Sequence, residues 1–406
     1  MEKIGKAKNK KRREEKMKKR IKSIFTIGGT AVMLGLAGTA SYGYQINDHL
    51  NVGVKAYLNA MEASGDHFDA SKVGQAQADT NSSNADGARL SRAYLALVGK
   101  INDEFSGKFV LDEAMTDPSV SNGRGNVFVK YLYGIFTPVK NLALRFGLSE
   151  TPWIPYEEGI WGYRFVSETG PDYEGFMPSS DLGIAVVGSL FHKLIEYHVM
   201  GSNGEGYQAT QNGRGYAAAA RIALNIKPII FNIFGMDESM HNGVPDYNPK
   251  RAIVMLTFTN SLLTLSGDWM WADDHVTPAD AGKAKFNHGY GYEFFGFLRI
   301  PGEEKLRVFA RYLDMKPNGS DSNLPVSGTV APTASLGPSN LYSTELYKFV
   351  ATSENTWALA GISYDITKHV IAALDYNLFT MQGYDLSKNK ASFRDNAVAL
   401  NLRLAF

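Results

Sequence analysis

From Leu50 onward, hydrophobic residues recur at every second position. In LNVGVKAYLNA, Leu50, Val52, Val54, Ala56 and Leu58 fall on one side, while Gly53, Lys55, Tyr57 and Asn59 fall on the other. A period of two marks a strand with one apolar and one polar side. The same alternation predicts sixteen strands, near 49–62, 88–100, 104–116, 126–137, 141–149, 181–189, 192–201, 215–225, 228–236, 251–258, 261–271, 287–300, 304–314, 354–365, 368–380 and 392–406.

The connections alternate too. Every second one is tight (101–103, 138–140, 190–191, 226–227, 259–260, 301–303 and 366–367). Those between are long: 63–87, 117–125, 150–180, 202–214, 237–250, 272–286, 315–353 and 381–391. Tight turns alternating with long loops on an even number of strands predict an all-β fold, a 16-stranded antiparallel transmembrane β-barrel. Its short turns would face the periplasm and its long loops the exterior. Closure follows because an open sheet edge in lipid leaves backbone groups unpaired, at several kcal/mol each. A soluble two-sheet sandwich fits poorly with an apolar side repeated over so many strands. The chain ends AVALNLRLAF, and the alternating Leu402, Leu404 and Phe406 are expected to act as the assembly signal of such a barrel. Tyr131, Tyr133, Trp269, Trp271, Tyr290, Tyr292, Tyr312 and Tyr376 are expected to face lipid as interfacial girdles.

Residues 1–40 break the pattern and read as a secretory signal. MKKRIKS (17–23) is a basic stretch, followed by the short apolar run IFTIGGTAVMLGLAGTA, with cleavage expected near Ala40 or Gly43. Residues 1–16 would extend the basic region, and either Met1 or Met17 could start it. Residues 41–406 would then form the barrel. The segment 1–40 carries 12 Lys+Arg and 3 Asp+Glu; removing these from the chain's 42 and 41 leaves 30 against 38. The acidic remainder argues against nucleic acid as a partner. The absence of cysteine excludes disulfide scaffolds, thiol catalysis and thiolate metal sites.

Three stretches resemble the phosphate-selective porin family of Gram-negative bacteria. SRAYLALVGKINDEFSGKFVLDEA (91–114) is similar to its second and third strands, and NLALRFGLSETPWI (141–154) to its Arg–Gly run with a Thr-Pro step. DLGIAVVGSL with the later GSNGEG (181–206) resembles its Asp-Leu-Gly strand and Asn-Gly hairpin. The resemblance implies a homotrimeric sixteen-strand porin in the outer membrane, with a channel that favours anions. It does not by itself imply phosphate.

A sixteen-strand barrel encloses water, so inward side chains set what passes. Phasing each strand by its apolar side puts Lys55, Arg92, Lys108, Lys130, Arg145, Arg221, Arg307, Arg311 and Arg403 inside, with fewer acids: Asp112, Asp268, Glu293 and Asp375. The segment 150–180 is the natural constriction, carrying Trp153, Tyr156, Trp161 and Tyr163 for packing against a wall. Its acids, Glu150, Glu157, Glu158, Glu168, Asp172 and Glu174, face only Arg164 in opposition. Here the chain departs from the family, whose constriction is basic. An acidic loop opposite a basic wall makes a transverse field, provided the loop folds inward; an external lid is the other arrangement the sequence allows. No HExxH, GxxxxGK[ST] or GxSxG motif occurs, so neither an enzyme, a cofactor nor a metal site is expected. The segment 315–345, with GSDSN at 319–323, reads as a flexible external loop. The expected function is passive diffusion of small hydrophilic solutes with mild anion preference. Specific uptake of phosphate or an oligosaccharide, or a non-conducting sheath, scaffold or adhesin, are the alternatives.

Overall fold

The computed structural model describes residues 44–66, 87–114, 126–208, 215–240, 248–274, 288–316, 354–384 and 390–406. The signal segment 1–40 and the loop 317–353 lie outside them. Among the described residues seventeen strands form: β1 (Tyr44–Asn47), β2 (Leu50–Asp66), β3 (Gly87–Lys100), β4 (Phe105–Ala114), β5 (Asn126–Val139) and β6 (Leu142–Glu150). After an inserted segment come β7 (Ser180–Leu190), β8 (Ile195–Ser202), β9 (Gly215–Ile226), β10 (Ile229–Met240), β11 (Lys250–Thr259) and β12 (Leu263–Asp273). The last are β13 (Gly289–Ile300), β14 (Glu303–Lys316), β15 (Glu354–Asp365), β16 (Val370–Tyr384) and β17 (Lys390–Ala405).

β2 to β17 each pair antiparallel with their chain neighbours, and β17 returns onto β2, with Ala405 opposite Lys55 and Arg394 opposite Asp66. The sixteen-stranded sheet therefore closes on itself, as the alternation predicted. The extra strand, β1, is a four-residue addition that pairs with β2. Tight turns sit where they were expected, and local side chains fix several of them. Asn102 Oδ1 accepts from the backbone N–H of Glu104 and Phe105, and Asn260 Oδ1 from those of Leu262 and Leu263. Thr367 Oγ1 does the same for His369 and Val370. Such side chains supply the turn's backbone partners without help from a second strand. The last connection, 385–389, is shorter than the long loop expected there.

The barrel inverts the usual distribution of apolar surface. Leu132, Ile184, Leu256 and Phe294 point outward and are more than half exposed, while alternate residues point inward and are buried. A continuous exposed apolar face is unstable in water and is what acyl chains cover. Trp269, Tyr290, Tyr292, Tyr312 and Tyr376 lie on that outer face, exposed by 37–49%. Trp271, half-buried, alternates with the inward Met270 and Ala272.

Tyr131 and Tyr133 do not lie there. Both are inward and almost fully buried. The cause is a β-bulge: Val110 pairs with Tyr131 but Leu111 pairs with Val129, leaving Lys130 as the extra residue. The bulge puts Lys130 and Tyr131 on the same side, so strict alternation read upstream assigns the wrong face downstream.

The inner wall has two unlike sectors. On β10 to β16 it is largely apolar, with Phe234, Ile253, Met255, Met270, Phe295, Phe309, Leu313, Met315, Trp357, Leu359 and Phe379 all buried. On β17 and β2 to β6 it carries one inward cation per strand. Placing Arg at Val254, outward and near the middle of β11, is expected to destabilise the barrel by about 2–4 kcal/mol. Equilibrium unfolding of the variant in lipid vesicles measures this.

Candidate functional site

The segment between β6 and β7 folds into the barrel. It contains two short helices, α1 (Ile154–Trp161) and α2 (Gly170–Tyr173), each with a proline in its first turn, where the missing N–H costs nothing. Gly162, at φ 71°, ends α1 in the left-handed conformation, and its N–H bonds to the Glu158 carbonyl. The segment then runs along the apolar sector. Trp153 meets Phe234 on β10 (ring centroids 5.5 Å apart), Trp161 meets Phe295 on β13 (5.5 Å), and Tyr163 stacks on Phe309 of β14 (4.3 Å). Tyr173 reaches Trp357 on β15 (4.6 Å). Trp153 and Trp161 are fully buried, which settles the inward arrangement against the external lid.

Wall cations fasten the same segment. Arg221 on β9 donates from Nε to the Pro152 carbonyl (3.0 Å), and its guanidinium lies 3.6 Å from the centre of the Tyr156 ring. Arg251 on β11 donates to the Phe176 carbonyl (2.9 Å). Arg311 on β14 donates to Ser167 Oγ (2.9 Å) and to the Glu168 carbonyl, and covers Trp357. Arg221 and Arg311 were expected to line solvent. They are inward but covered by the segment, and act as its anchors. Gly170 is required at its place: a Cβ there would meet Glu293 Oε2 at 2.6 Å and Leu313 Cδ1 at 2.8 Å. Without one, the Gly170 N–H donates to Glu293 Oε2 (2.8 Å).

The opposite sector is basic. Arg403, Lys55, Arg92, Lys108, Lys130 and Arg145 come from six adjacent strands, β17 and β2 to β6, and all share the inward face. Acids interleave with them. Arg92 makes a two-pronged pair with Asp112 (3.0 and 2.8 Å), and Lys130 lies 3.4 Å from the same carboxylate. Lys108 and Arg145 share Glu150 (2.5 and 3.0 Å). Tyrosines support the cations from below: Lys108 sits over Tyr131 (4.7 Å) and Lys130 over Tyr94 (5.4 Å).

The edge of the inward segment that faces this arc carries Glu158, Arg164, Glu168 and Asp172. Arg164 binds all three acids, at 2.6 Å (Glu158), 2.5 Å (Glu168) and 3.3 Å (Asp172), and Glu168 lies 3.5 Å from Arg92. Glu158 is within electrostatic range of Lys55. Burial, with Glu168 nearby and Arg164 opposing, raises the Asp172 carboxyl to about 7.

Glu157 does not belong to this edge, contrary to the sequence expectation. The helix turns it the other way, where it is fully buried against β12 and β13 beside Asp268 and Glu293. Burial, followed by those two carboxylates, pushes its carboxyl well above the usual range. Asp268 and Glu293 are thus inward but sealed beneath the segment. Asp375 is buried between Asn377 and Asn401, each donating at 2.5 Å. Arg307 pairs with Asp365 on β15. Leu402, Leu404 and Phe406 lie on the outer side of β17, and Phe406 exchanges backbone hydrogen bonds with Val54.

Sequence phasing missed Arg251. On β11 both sides are apolar, Ile253 and Met255 inward against Val254 and Leu256 outward, so no polar side marks the lumen. His198, buried on β8, was missed as well.

Trp161→Ala is expected to weaken docking of the inward segment by about 3–5 kcal/mol. Proteolysis within 151–179 should accelerate while the barrel stays folded. Since the Asp172 carboxyl is raised in the folded state, the protonated form favours docking. Its contribution is complete below about pH 4 and is lost as the pH rises through about 7. Proteolysis of the segment should be faster at pH 8 than at pH 5, and Asp172→Asn should reduce that dependence, leaving the part due to the buried Glu157.

No protein-family model matches the chain, and no curated relative was found. Solved structures are similar in fold. OmpF of Salmonella typhi, in complex with daunomycin, aligns with a TM-score of 0.57 at 10% identity, covering 90% of this chain and 100% of that one. The outer membrane channel DcaP of Acinetobacter baumannii gives 0.55 at 12% identity, with 90% and 100% covered. OmpT, an outer membrane protein of Vibrio cholerae solved in a trimer form, gives 0.50 at 10%, with 88% and 100% covered. At such identities the likeness establishes the fold, a closed antiparallel barrel of the outer-membrane type.

Proposed function

We propose that the chain is an outer-membrane porin, a passive water-filled channel for small hydrophilic solutes with a mild preference for anions. One observation carries this reading. Six inward cations on adjacent strands face a loop edge bearing Glu158, Glu168 and Asp172, across a lumen whose other half is occupied by the docked segment. Such an arrangement narrows the passage and sets a field across it without offering chemistry to a substrate. Basic groups outnumber acids on the wall arc, where Asp112 and Glu150 each serve two cations, and the surplus favours anions.

The named neighbours, an outer membrane channel and OmpF, support a diffusive role, and a trimer form among them supports a homotrimer. Nothing is catalysed in this reading; solutes move down their gradients, filtered by width and charge. Lys55, Arg92 and Arg403 are the wall residues proposed to meet permeating ions. Lys108, Lys130 and Arg145, expected to line the pore, are almost fully buried beside Asp112, Glu150, Tyr94, Tyr131 and Tyr133 and act on the lumen through their field. Glu158 and Arg164 are proposed to form the constriction edge opposite them.

Reconstitution into planar bilayers tests this directly. Discrete current steps are expected, with a zero-current potential of anion-selective sign across a KCl gradient. Glu158→Gln should increase the anion preference, and neutralising Lys55 together with Arg403 should lower it. A sealed lumen would overturn the channel in favour of a sheath or adhesin. Block of the current by phosphate or a sugar would point to specific uptake.

A further inference from the structure

Asp268 and Glu293 stand directly opposite each other on β12 and β13, both pointing inward. Like charges in that position repel and destabilise a sheet. Glu157 on α1 adds a third carboxylate, and one oxygen from each of the three lies within 4.8 Å of those of the other two. All three residues are buried, Asp268 at 4% exposure and the others at 0%.

Their hydrogen bonding is incomplete in one direction. Glu157 Oε2 accepts from Trp153 Nε1 (3.0 Å), and Glu293 Oε2 accepts from the Gly170 N–H (2.8 Å). These donors hold the outer oxygens. Glu157 Oε1 and both Asp268 oxygens accept no well-aligned hydrogen bond; the groups nearest Asp268 are the Glu157 carboxyl and the Glu293 backbone N–H. Glu293 Oε1 has only an ion pair with Arg311 Nε, at 2.6 Å, not aligned as a hydrogen bond. The buried Thr169 hydroxyl lies beside Glu157 and is its nearest hydroxyl donor, though not aligned as a strict hydrogen bond. An isolated buried carboxylate with nothing to accept from is costly, and three together more so.

Fully ionised, as a bound cation would make them, the three carboxylates against Arg311 would give the cluster a net charge of −2. We infer that Glu157, Asp268 and Glu293 bind one divalent cation of the calcium class, which fastens α1 to the β12–β13 wall. Calcium accepts carboxylate oxygens one or two at a time in flexible geometry, whereas magnesium demands a near-octahedral shell and keeps its waters. The oxygens of Asp268 and Glu157 that lack an aligned donor suit the former. Trp153 and Gly170 orient two of the ligands, as groups behind a metal's own ligands commonly do.

Terbium, an oxygen-seeking ion of similar size, tests the site on the full chain folded in detergent free of lipopolysaccharide. Trp153 donates to one of the ligands, so its indole should sensitise terbium emission. Emission is expected on excitation of tryptophan, with calcium displacing it. Asp268→Asn should weaken terbium binding at least ~10-fold. Calcium should raise the melting temperature relative to EDTA in the natural chain and not in the variant. The variant should melt in EDTA no lower than the natural chain, since it removes a like charge. Glu157→Gln serves the same purpose if Asp268→Asn does not fold. Absence of emission, with melting indifferent to calcium and EDTA, would overturn the inference and leave shared protons as what holds the cluster. Emission that persists in both variants would overturn it too, by placing the ion elsewhere.

Discussion

Much of this structure depends on the apolar half of its inner wall. A barrel of sixteen strands has more interior than its own side chains fill. Here β10 to β16 present Phe234, Met270, Phe295, Phe309 and Trp357 inward, a surface that water would cover poorly. The segment between β6 and β7 brings Trp153, Trp161, Tyr163 and Tyr173 to that surface and buries it. Everything polar in the lumen is then arranged around the choice. Arg221, Arg251 and Arg311 become anchors because they lie under the segment, while Lys55, Lys108 and Lys130 belong to the opposite arc, where the last two are buried against Glu150 and Asp112.

The same docking explains why one helix carries two acids with different roles. Glu157 and Glu158 are adjacent in sequence and point away from each other around α1. One is fully buried against the wall, while the other pairs with Arg164 at 2.6 Å on the side facing the basic arc. Without the inward fold they would be a single patch of negative charge. With it, one is sealed beside Asp268 and Glu293 and the other stands with Arg164 across from the basic arc.

The fold was largely legible from alternation alone. Lipid outside and a different environment inside make the two faces of each strand differ, so the period of two survives along nearly every strand. Where both environments are apolar, the signal vanishes, as on β11 and the missed Arg251. Where an extra residue intervenes, the phase slips. At Lys130 the bulge moved Tyr131 and Tyr133 from the expected lipid face to the interior. The meeting of Glu157 with Asp268 and Glu293 left no trace in spacing, because the first is separated from the others by more than a hundred residues and joined only by docking. The signal segment and the loop 317–353 lie outside the described residues.

The tyrosines under the basic arc have a mechanical consequence. Lys108 rests over Tyr131 and Lys130 over Tyr94, while Arg145 lies 5.6 Å from the Tyr133 ring. Lysine stems ordinarily swing through many rotamers, which smears their charge over several ångströms of space. Seated on aromatic faces they lose that freedom, and the ring quadrupole holds each head group in place. In the proposed channel, the field these fixed head groups set would be a stationary pattern with a definite spacing. A solute would then be sorted by how its own dipole matches that spacing, a kind of discrimination that neither diameter nor net charge supplies.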